Sequence, residues 1–561
     1  MGKYYTLHEK IRNLAFASRA GLLLLQMISN WIIPDHEADA FRSPPDPNLS
    51  YGLSDNIVQQ LFGGLIRWDA QYFIHIAEYG YTHENTLAFF PLYPLLVRYL
   101  AQIVYFPLQV ILNYHSTIIV TAVVLNVYLF VKASELFYSL SRAVLHHEVL
   151  AYRAAILFCI NPASIFFSAP YSESLFALLT FSALLNYERG GGWTAPAAFG
   201  LAAATRSNGL VNIGFVLYHK LQHCSTYYYK LRNARSSTSD QVSLVLVVLL
   251  TFNYTLVPLF VASFSVVVPF LLYQAWCYIK YCGDEASSAL PPHLQSFVHA
   301  NFLHSPESGE AEWCYAPIPF AYTHVQDKHW EVGLFRYYQL KQLPNFLLAV
   351  PIVLMIICHA ALYFVDSPQV VWSLGIPHPR QLAAASLKRK TEEHESSGDD
   401  GACAAGGKEQ GNGDDAALNG TSAGEQQQWC YSGVRAWKVF VYTVHGLAVC
   451  FFCLLFVNVQ VTTRLVCSSC PVVYWFAAHV ATSSSSSNTN SPSATRQKTP
   501  GKKLLPQKLL VPEPAQNLSK PFAVAFLSNF PQDFWGQVVI SYFLLYFMLG
   551  TVMFSNFLPW T

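Results

Sequence analysis

Side chains able to move a proton or hold an anion are concentrated in three places. The densest is Arg67-Trp68-Asp69-Ala70-Gln71-Tyr72-Phe73-Ile74-His75-Ile76-Ala77-Glu78-Tyr79, followed by Phe89-Phe90-Pro91. If 66–78 is a short helix at a bilayer surface, Asp69, Tyr72 and Phe73 share one face, and Trp68, Gln71 and His75 the neighbouring one. Trp68 and the tyrosines then anchor it at headgroup depth while Asp69 projects into a cleft as a candidate proton acceptor. The same pattern also fits a solvated face of Arg67, Asp69, His75 and Glu78 beside an ordinary aromatic belt.

The second set is Asn161-Pro162, Ser168-Ala169-Pro170-Tyr171-Ser172-Glu173-Ser174 and Thr205-Arg206-Ser207-Asn208-Gly209. Glu173 and Arg206 are flanked by long apolar runs, where an ionisable group is expensive to bury unpaired and marks function by default. A structural Glu–Arg pair locking two helices is the alternative. The third set is Gln460-Val461-Thr462-Thr463-Arg464, whose arginine either snorkels to the interface or holds a lipid phosphate. There is no Walker A loop, no dinucleotide glycine fingerprint, no H-E-x-x-H and no D-x-D, so neither ATP-driven transport nor a tightly held divalent ion is indicated.

The elements that must position these residues follow from composition. Of 561 residues 53% are apolar and only 12% charged, against about 25% charged in soluble domains, which excludes an ordinary soluble enzyme. Lys+Arg 34 against Asp+Glu 33 leaves no field to attract nucleic acid. A bilayer-spanning helix needs about 20 apolar residues, and such runs occur near 12–33, 116–138, 150–169, 171–187, 194–218, 243–275, 345–365, 437–460 and 537–556. With 88–112 and 470–482 as weaker candidates, the second short enough to be re-entrant or interfacial, the sequence predicts an all-α polytopic membrane protein of about 9–11 transmembrane helices.

Lys3, Lys10 and Arg12 precede the first run, which reads as an uncleaved signal anchor with a cytosolic N-terminus. Residues 34–86 then lie across the membrane, as does the polar, Trp-containing loop 276–343, while the basic stretch Lys220–Arg235 and Lys388-Arg389-Lys390 are cytosolic. These placements agree with the segment list only if 194–218 is broken or 88–112 spans. The chain accordingly divides into an N-terminal membrane region (1–382), a disordered cytosolic insert (383–428), a spanning and lumenal or re-entrant stretch (429–482), a disordered linker (483–520) and a C-terminal helix region (521–561). Of the sequons at Asn48, Asn253, Asn419 and Asn517, only Asn48 is placed for glycosylation. Twelve cysteines are too sparse for a disulfide scaffold, and Cys450/Cys453 and Cys467/Cys470 read as packing thiols.

Taken together, Arg67-Trp68-Asp69-Ala70, Phe89-Phe90-Pro91, the run from Asn161 to Ser174, Thr205-Arg206-Ser207-Asn208-Gly209, Val332-Gly333 with Pro344-Asn345-Phe346, and the terminal Asn556-Phe557-Leu558-Pro559-Trp560-Thr561 closely resemble the PIG-V family, GPI mannosyltransferase 2. The similarity covers roughly 10–220, 313–362, 434–476 and 521–561 and departs from the family mainly in the inserts 366–433 and 483–520. The resemblance implies a multispanning GT-C type glycosyltransferase of the endoplasmic reticulum membrane; no cofactor is expected, and metal dependence is left open by the sequence. It implies transfer of mannose from dolichyl-phosphate-mannose, adding the second mannose in α-1,6 linkage to the GPI precursor. The Trp-Asp pair regarded as essential in that family falls on Trp68 and Asp69.

Such residues suit such chemistry. An inverting transfer from a phosphate donor needs a carboxylate to receive the acceptor hydroxyl's proton and a cation to stabilise the departing phosphate. Asp69 is the candidate base. Arg206 and Arg464, with Arg67 as alternative, are candidates for the phosphate, and Gln71, His75, Glu173 and Asn208 for substrate binding. Trp68 either stacks on a sugar or anchors the loop. No stretch outside the membrane has the composition of a nucleotide-binding domain, which favours a lipid-linked donor.

Overall fold

Backbone amides cannot stay unpaired in lipid, so every break in a long apolar run needs partners of its own; Pro162 makes one such break, whereas Pro258, Pro269 and Pro351 lie inside continuous helices. The computed structural model describes residues 6–237, 244–283, 290–376, 432–482 and 533–560. The inserts 383–428 and 483–520, Lys388-Arg389-Lys390, Asn419 and Asn517 lie outside the described residues.

The described residues are helical and contain no strand. The first half comprises α1 (Leu7–Ile32), α2 (Leu53–Phe62), α3 (Asp69–Tyr79), α4 (Leu92–Leu108), α5 (Tyr114–Leu145), α6 (Glu148–Cys159), α7 (Glu173–Glu188), α8 (Thr194–Thr205) and α9 (Ile213–Ser237). The second comprises α10 (Leu244–Cys282), α11 (Pro292–Ala300), α12 (Ala321–Trp330), α13 (Leu343–Asp366), α14 (Pro368–Trp372), α15 (Val439–Phe456), α16 (Thr462–Ser469), α17 (Pro471–Val480) and α18 (Phe534–Ser555). Among the described residues five stretches are long and apolar enough to cross a membrane, within α5, α10, α13, α15 and α18. The chain is therefore a polytopic membrane protein. The remaining expected spans are realised as shorter or charge-bearing helices. The run 194–218 is broken, because the backbone at Arg206 is extended and α8 gives way to a 3-10 turn, Ser207–Asn212, before α9. Gly209 permits that turn: a Cβ there would lie 2.6 Å from the Ala203 backbone. Helix α17 is buried from Pro471 to Ala478.

The most consequential break separates α6 from α7. Pro162 disfavours helix at Asn161, whose side-chain oxygen accepts from Ala163 N–H at 2.9 Å and closes a turn instead. The irregular 160–172 segment is buried, so its backbone needs partners. Arg19 of α1 supplies them, donating to the carbonyls of Ser164 (2.7 Å) and Cys159 (3.0 Å) and to the hydroxyls of Ser164 and Ser168, with its guanidinium 4.0 Å from the Phe130 ring centre. Asn126 of α5 donates to the carbonyls of Ala169 and Tyr171. This braced turn delivers Tyr171, Ser172 and Glu173 to the site.

Candidate active site

Helix α3 starts at Asp69, later than a helix over 66–78 would have it. Trp68 takes φ 55°, ψ −127° and so stands outside the helix. For a non-glycine residue this costs about 1–3 kcal/mol and persists only where the surroundings over-determine it. Tyr171 is one such constraint: its hydroxyl accepts the Asp69 N–H at 3.0 Å and donates to the Arg67 carbonyl at 3.4 Å, bracketing Trp68. Asp69 thereby occupies the first turn of α3, where the helix dipole favours a carboxylate.

Four of the residues named from sequence form a chain of charge. Arg464 of α16 donates from Nη1 to Asp69 Oδ2 at 2.9 Å and from Nε to Glu173 Oε1 at 2.8 Å. Arg206 Nη1 reaches the same Glu173 oxygen at 2.5 Å. Asn208 braces Arg206, accepting from its Nε at 3.3 Å, and Ser172 accepts from its Nη1 at 3.3 Å. The side chain of Glu173 is 0% exposed, Arg464 8%, Arg206 12% and Asp69 30%. Asp69 is thus the carboxylate of the quartet that a substrate can reach. Among the described residues no hydrogen bond engages its Oδ1. Arg464 is also packed by the rings of Phe166 and Tyr171, 4.6 and 4.9 Å away, so it neither snorkels nor rotates freely.

The network borders a cavity of about 1950 Å³. Trp68, Asp69, Tyr72, Arg206, Asn208 and Arg464 line it, together with Trp313, Tyr322, His329 and Trp330, the last with its ring centre 6.1 Å from that of Tyr72. Residues 290–342 are tied to the segment after α3. Glu84 meets His324 (3.3 Å), Lys328 and His329 (each 3.6 Å), and its N–H donates to the His304 carbonyl at 2.8 Å. Burial alone would raise the Glu84 carboxyl, but His329, Lys328 and His324 together lower it below its ordinary value. Lys280 donates to the Tyr81 carbonyl at 2.8 Å, and a disulfide joins Cys282 to Cys314. Composition gave no sign of that bridge, whereas Cys450, Cys453, Cys467 and Cys470 are free and buried.

Glu173 stands behind the cavity wall, reaching the site only through its two arginines. Three further residues named from sequence do not line the cavity either. Arg67 is paired with Asp35 at 2.9 Å and lies 4.6 Å from the Phe557 ring centre. Gln71 accepts from Ser43 N–H at 3.2 Å and donates to the Ile66 carbonyl at 3.0 Å. His75 bridges Ser43 Oγ (2.8 Å) and Thr82 Oγ1 (2.7 Å). Gln71 and His75 tie the segment around Ser43 to α3, a role that helical spacing cannot reveal because Ser43 has no regular structure. Sequence reasoning missed Tyr171 and the C-terminal Pro559 and Trp560 as lining residues of the cavity; their presence in the family-like strings was the available signal.

The mannosyltransferase (PIG-V) family profile matches residues 8–561. The GPI alpha-1,6-mannosyltransferase 2 of Rattus norvegicus is 34% identical over 100% of both chains, and that of Homo sapiens 32% identical over 99% of this chain and 98% of its own. The GPI mannosyltransferase 2 of Drosophila melanogaster is 31% identical over 84% of this chain and 90% of its own. No solved structure matches the chain. With the profile spanning the chain and relatives aligned along its length, this membrane protein belongs to the PIG-V family of mannosyltransferases.

Proposed function

We propose that the chain adds the second mannose, in α-1,6 linkage, to the one-mannose glycosylphosphatidylinositol precursor, using dolichyl-phosphate-mannose on the lumenal face of the endoplasmic reticulum membrane, with its N-terminus in the cytosol. The names of the aligned relatives support the linkage and the acceptor, and the basic residues Lys10 and Arg12 support the orientation. The observation that carries the chemistry is the half-freed Asp69: Oδ2 is held by Arg464 while Oδ1 has no partner among the described residues, beside a cavity roomy enough for two lipid-borne sugar heads.

In this mechanism Asp69 Oδ1 takes the proton of the acceptor hydroxyl as its oxygen bonds to the mannose anomeric carbon from the face opposite the phosphate. The bond from that carbon to the phosphate oxygen breaks, so the configuration inverts. The donor phosphodiester leaves as a monoester with one more negative charge. Asp69 and Glu173 contribute −2 to the quartet and Arg206 and Arg464 +2, a formal zero that becomes +1 when Asp69 is protonated. The charge lost at Asp69 appears on the phosphate, where a fixed pair of guanidinium groups, Arg464 and Arg206, would stabilise it. Arg67, engaged by Asp35, takes no part in the transfer. General-base assistance accounts for about 10²–10⁴-fold, with positioning supplying the remainder.

The test is complementation of cells lacking the enzyme. Asp69→Asn is expected to reach the membrane at normal levels yet fail to restore surface GPI-anchored proteins, and full rescue removes the base assignment. Lipids of the knockout cells are expected to accumulate the one-mannose precursor; a precursor with no mannose or with two would move the protein to another step.

A further inference from the structure

From the end of α18 the segment Asn556–Trp560 turns back onto the residues that precede Asp69. Asn556 is wholly buried; its side chain donates to Ser29 Oγ and to the Val552 carbonyl, both at 2.7 Å, and its carbonyl accepts the His36 N–H at 2.9 Å. Phe557 follows in the left-handed region, φ 57°, and is 2% exposed. Its ring meets Trp68 edge-on, with centroids 5.9 Å apart, and the guanidinium carbons of Arg67 and Arg42 lie 4.6 and 4.7 Å from its centre. Arg67 is also bound to the end of α18 just before this segment, donating from Nε to the Ser555 carbonyl at 3.2 Å. The far end is hooked by Trp560, which lies on Gly550 so closely that a Cβ there would stand 2.4 Å from the indole ring. Pro559 and Trp560 both line the cavity.

We propose that Asn556–Trp560 is a strap that positions the active site, with Phe557 as the residue that sets Trp68 and, through it, Asp69. Two non-glycine residues in left-handed backbone, Trp68 and Phe557, are packed against each other, and such conformations survive only where neighbours leave no alternative. Tyr171 fixes the hydrogen bonds of the turn at Trp68; Phe557 fills the space its ring would otherwise relax into. Shortening Phe557 lets the turn at Trp68 adopt ordinary backbone angles, which rotates the start of α3 and moves Asp69 Oδ1 relative to the bound hydroxyl. A displacement of about 1 Å at a reacting group can cost about a hundredfold in rate. The inference rests on reading Asp69 as the base.

The experiment measures transfer from labelled dolichyl-phosphate-mannose to a one-mannose acceptor in membranes carrying full-length variants, with kcat and each KM determined separately. Phe557→Ala is expected to lower kcat about tenfold or more while both KM values and the amount of protein stay close to wild type, and Phe557→Tyr, which keeps the ring, to recover most of the loss. Gly550→Ala, remote from Asp69 but able to dislodge Trp560, is expected to reproduce the kcat defect. A wild-type kcat in Phe557→Ala overturns the strap, as does a loss confined to KM or one that Phe557→Tyr leaves uncorrected. If Phe557→Ala does not accumulate, Phe557→Leu decides, since it keeps volume without the ring; normal kcat there overturns the inference. Asp69→Asn is assayed alongside: if it is inactive while Phe557→Ala is normal, only the strap falls, whereas an active Asp69→Asn overturns the assignment of the base itself.

Discussion

Arg464 Nη1 sits 2.9 Å from Asp69 Oδ2, joining residues 395 positions apart, and the same guanidinium holds the fully buried Glu173. One side chain therefore aims the proposed base and neutralises the carboxylate behind it. Removing one partner of a buried ion pair costs about 3–5 kcal/mol because the other charge is left uncompensated. Arg464→Met is expected to lose both activity and thermal stability in detergent. Glu173 keeps Arg206 in that variant, so adding Glu173→Gln, which strips Arg206 of its carboxylate, is expected to lower stability further; a recovery of stability would contradict the pairing. Arg464→Lys, with a point charge in place of a fork, cannot serve both carboxylates in one geometry; a wild-type turnover rate in that variant would contradict the arrangement.

The part of the cavity lining around Trp313 is tied by Cys282–Cys314, which closes 32 residues. On the chain-entropy account such a bridge contributes about 3–4 kcal/mol. Cys314→Ser is expected to lower the melting temperature of the purified protein, and alkylation mass analysis of the unreduced wild type should find these two cysteines protected. Free thiols at both positions would refute the bridge.

Acidification should loosen the segment containing Asp69. Burial drives the His75 imidazole well below its ordinary range, with His83 and His293 adding repulsion, and drives His83 down to about 4, with His329 adding. Between about pH 6.5 and 4 the unfolded chain takes up protons that the folded chain refuses, so stability present above about pH 6.5 is lost as pH falls. The slope is at most about 1.4 kcal/mol per pH unit for each histidine. A melting series from about pH 7.5 to 5 should show the decline, and His83→Phe should flatten it; an unchanged slope would reassign the effect.

Arg19 has no carboxylate partner among the described residues, yet it is fully buried and directs its donors at the 160–168 turn. Arg19→Leu is expected to strand the carbonyls of Cys159 and Ser164 at about 1–3 kcal/mol each and to reduce the amount of folded protein in the membrane. Normal accumulation of that variant would mean the turn has other partners.

Composition alone determined that the chain is helical and lives in a membrane, because only internally hydrogen-bonded elements tolerate lipid and the apolar runs are long. The strings around Asp69, Glu173, Arg206 and Arg464 were also visible, since charge between apolar runs is costly and therefore conspicuous. That Glu173–Arg206 is joined to Asp69 rather than standing as an isolated pair came only from folding: the two are linked to Asp69 through Arg464, a contact between α3, α7 and α16 that no local spacing encodes. Tertiary packing likewise withdrew Arg67, Gln71 and His75 from the cavity by giving them Asp35, Ile66, Ser43 and Thr82 as partners, and it settled that 194–218 breaks at Arg206, where Thr205-Arg206-Ser207-Asn208-Gly209 already interrupts the apolar run. Local sequence limits which backbone hydrogen bonds can be satisfied; which side chains end up beside a substrate depends on pairings hundreds of residues apart, and those exist only once the bundle has closed.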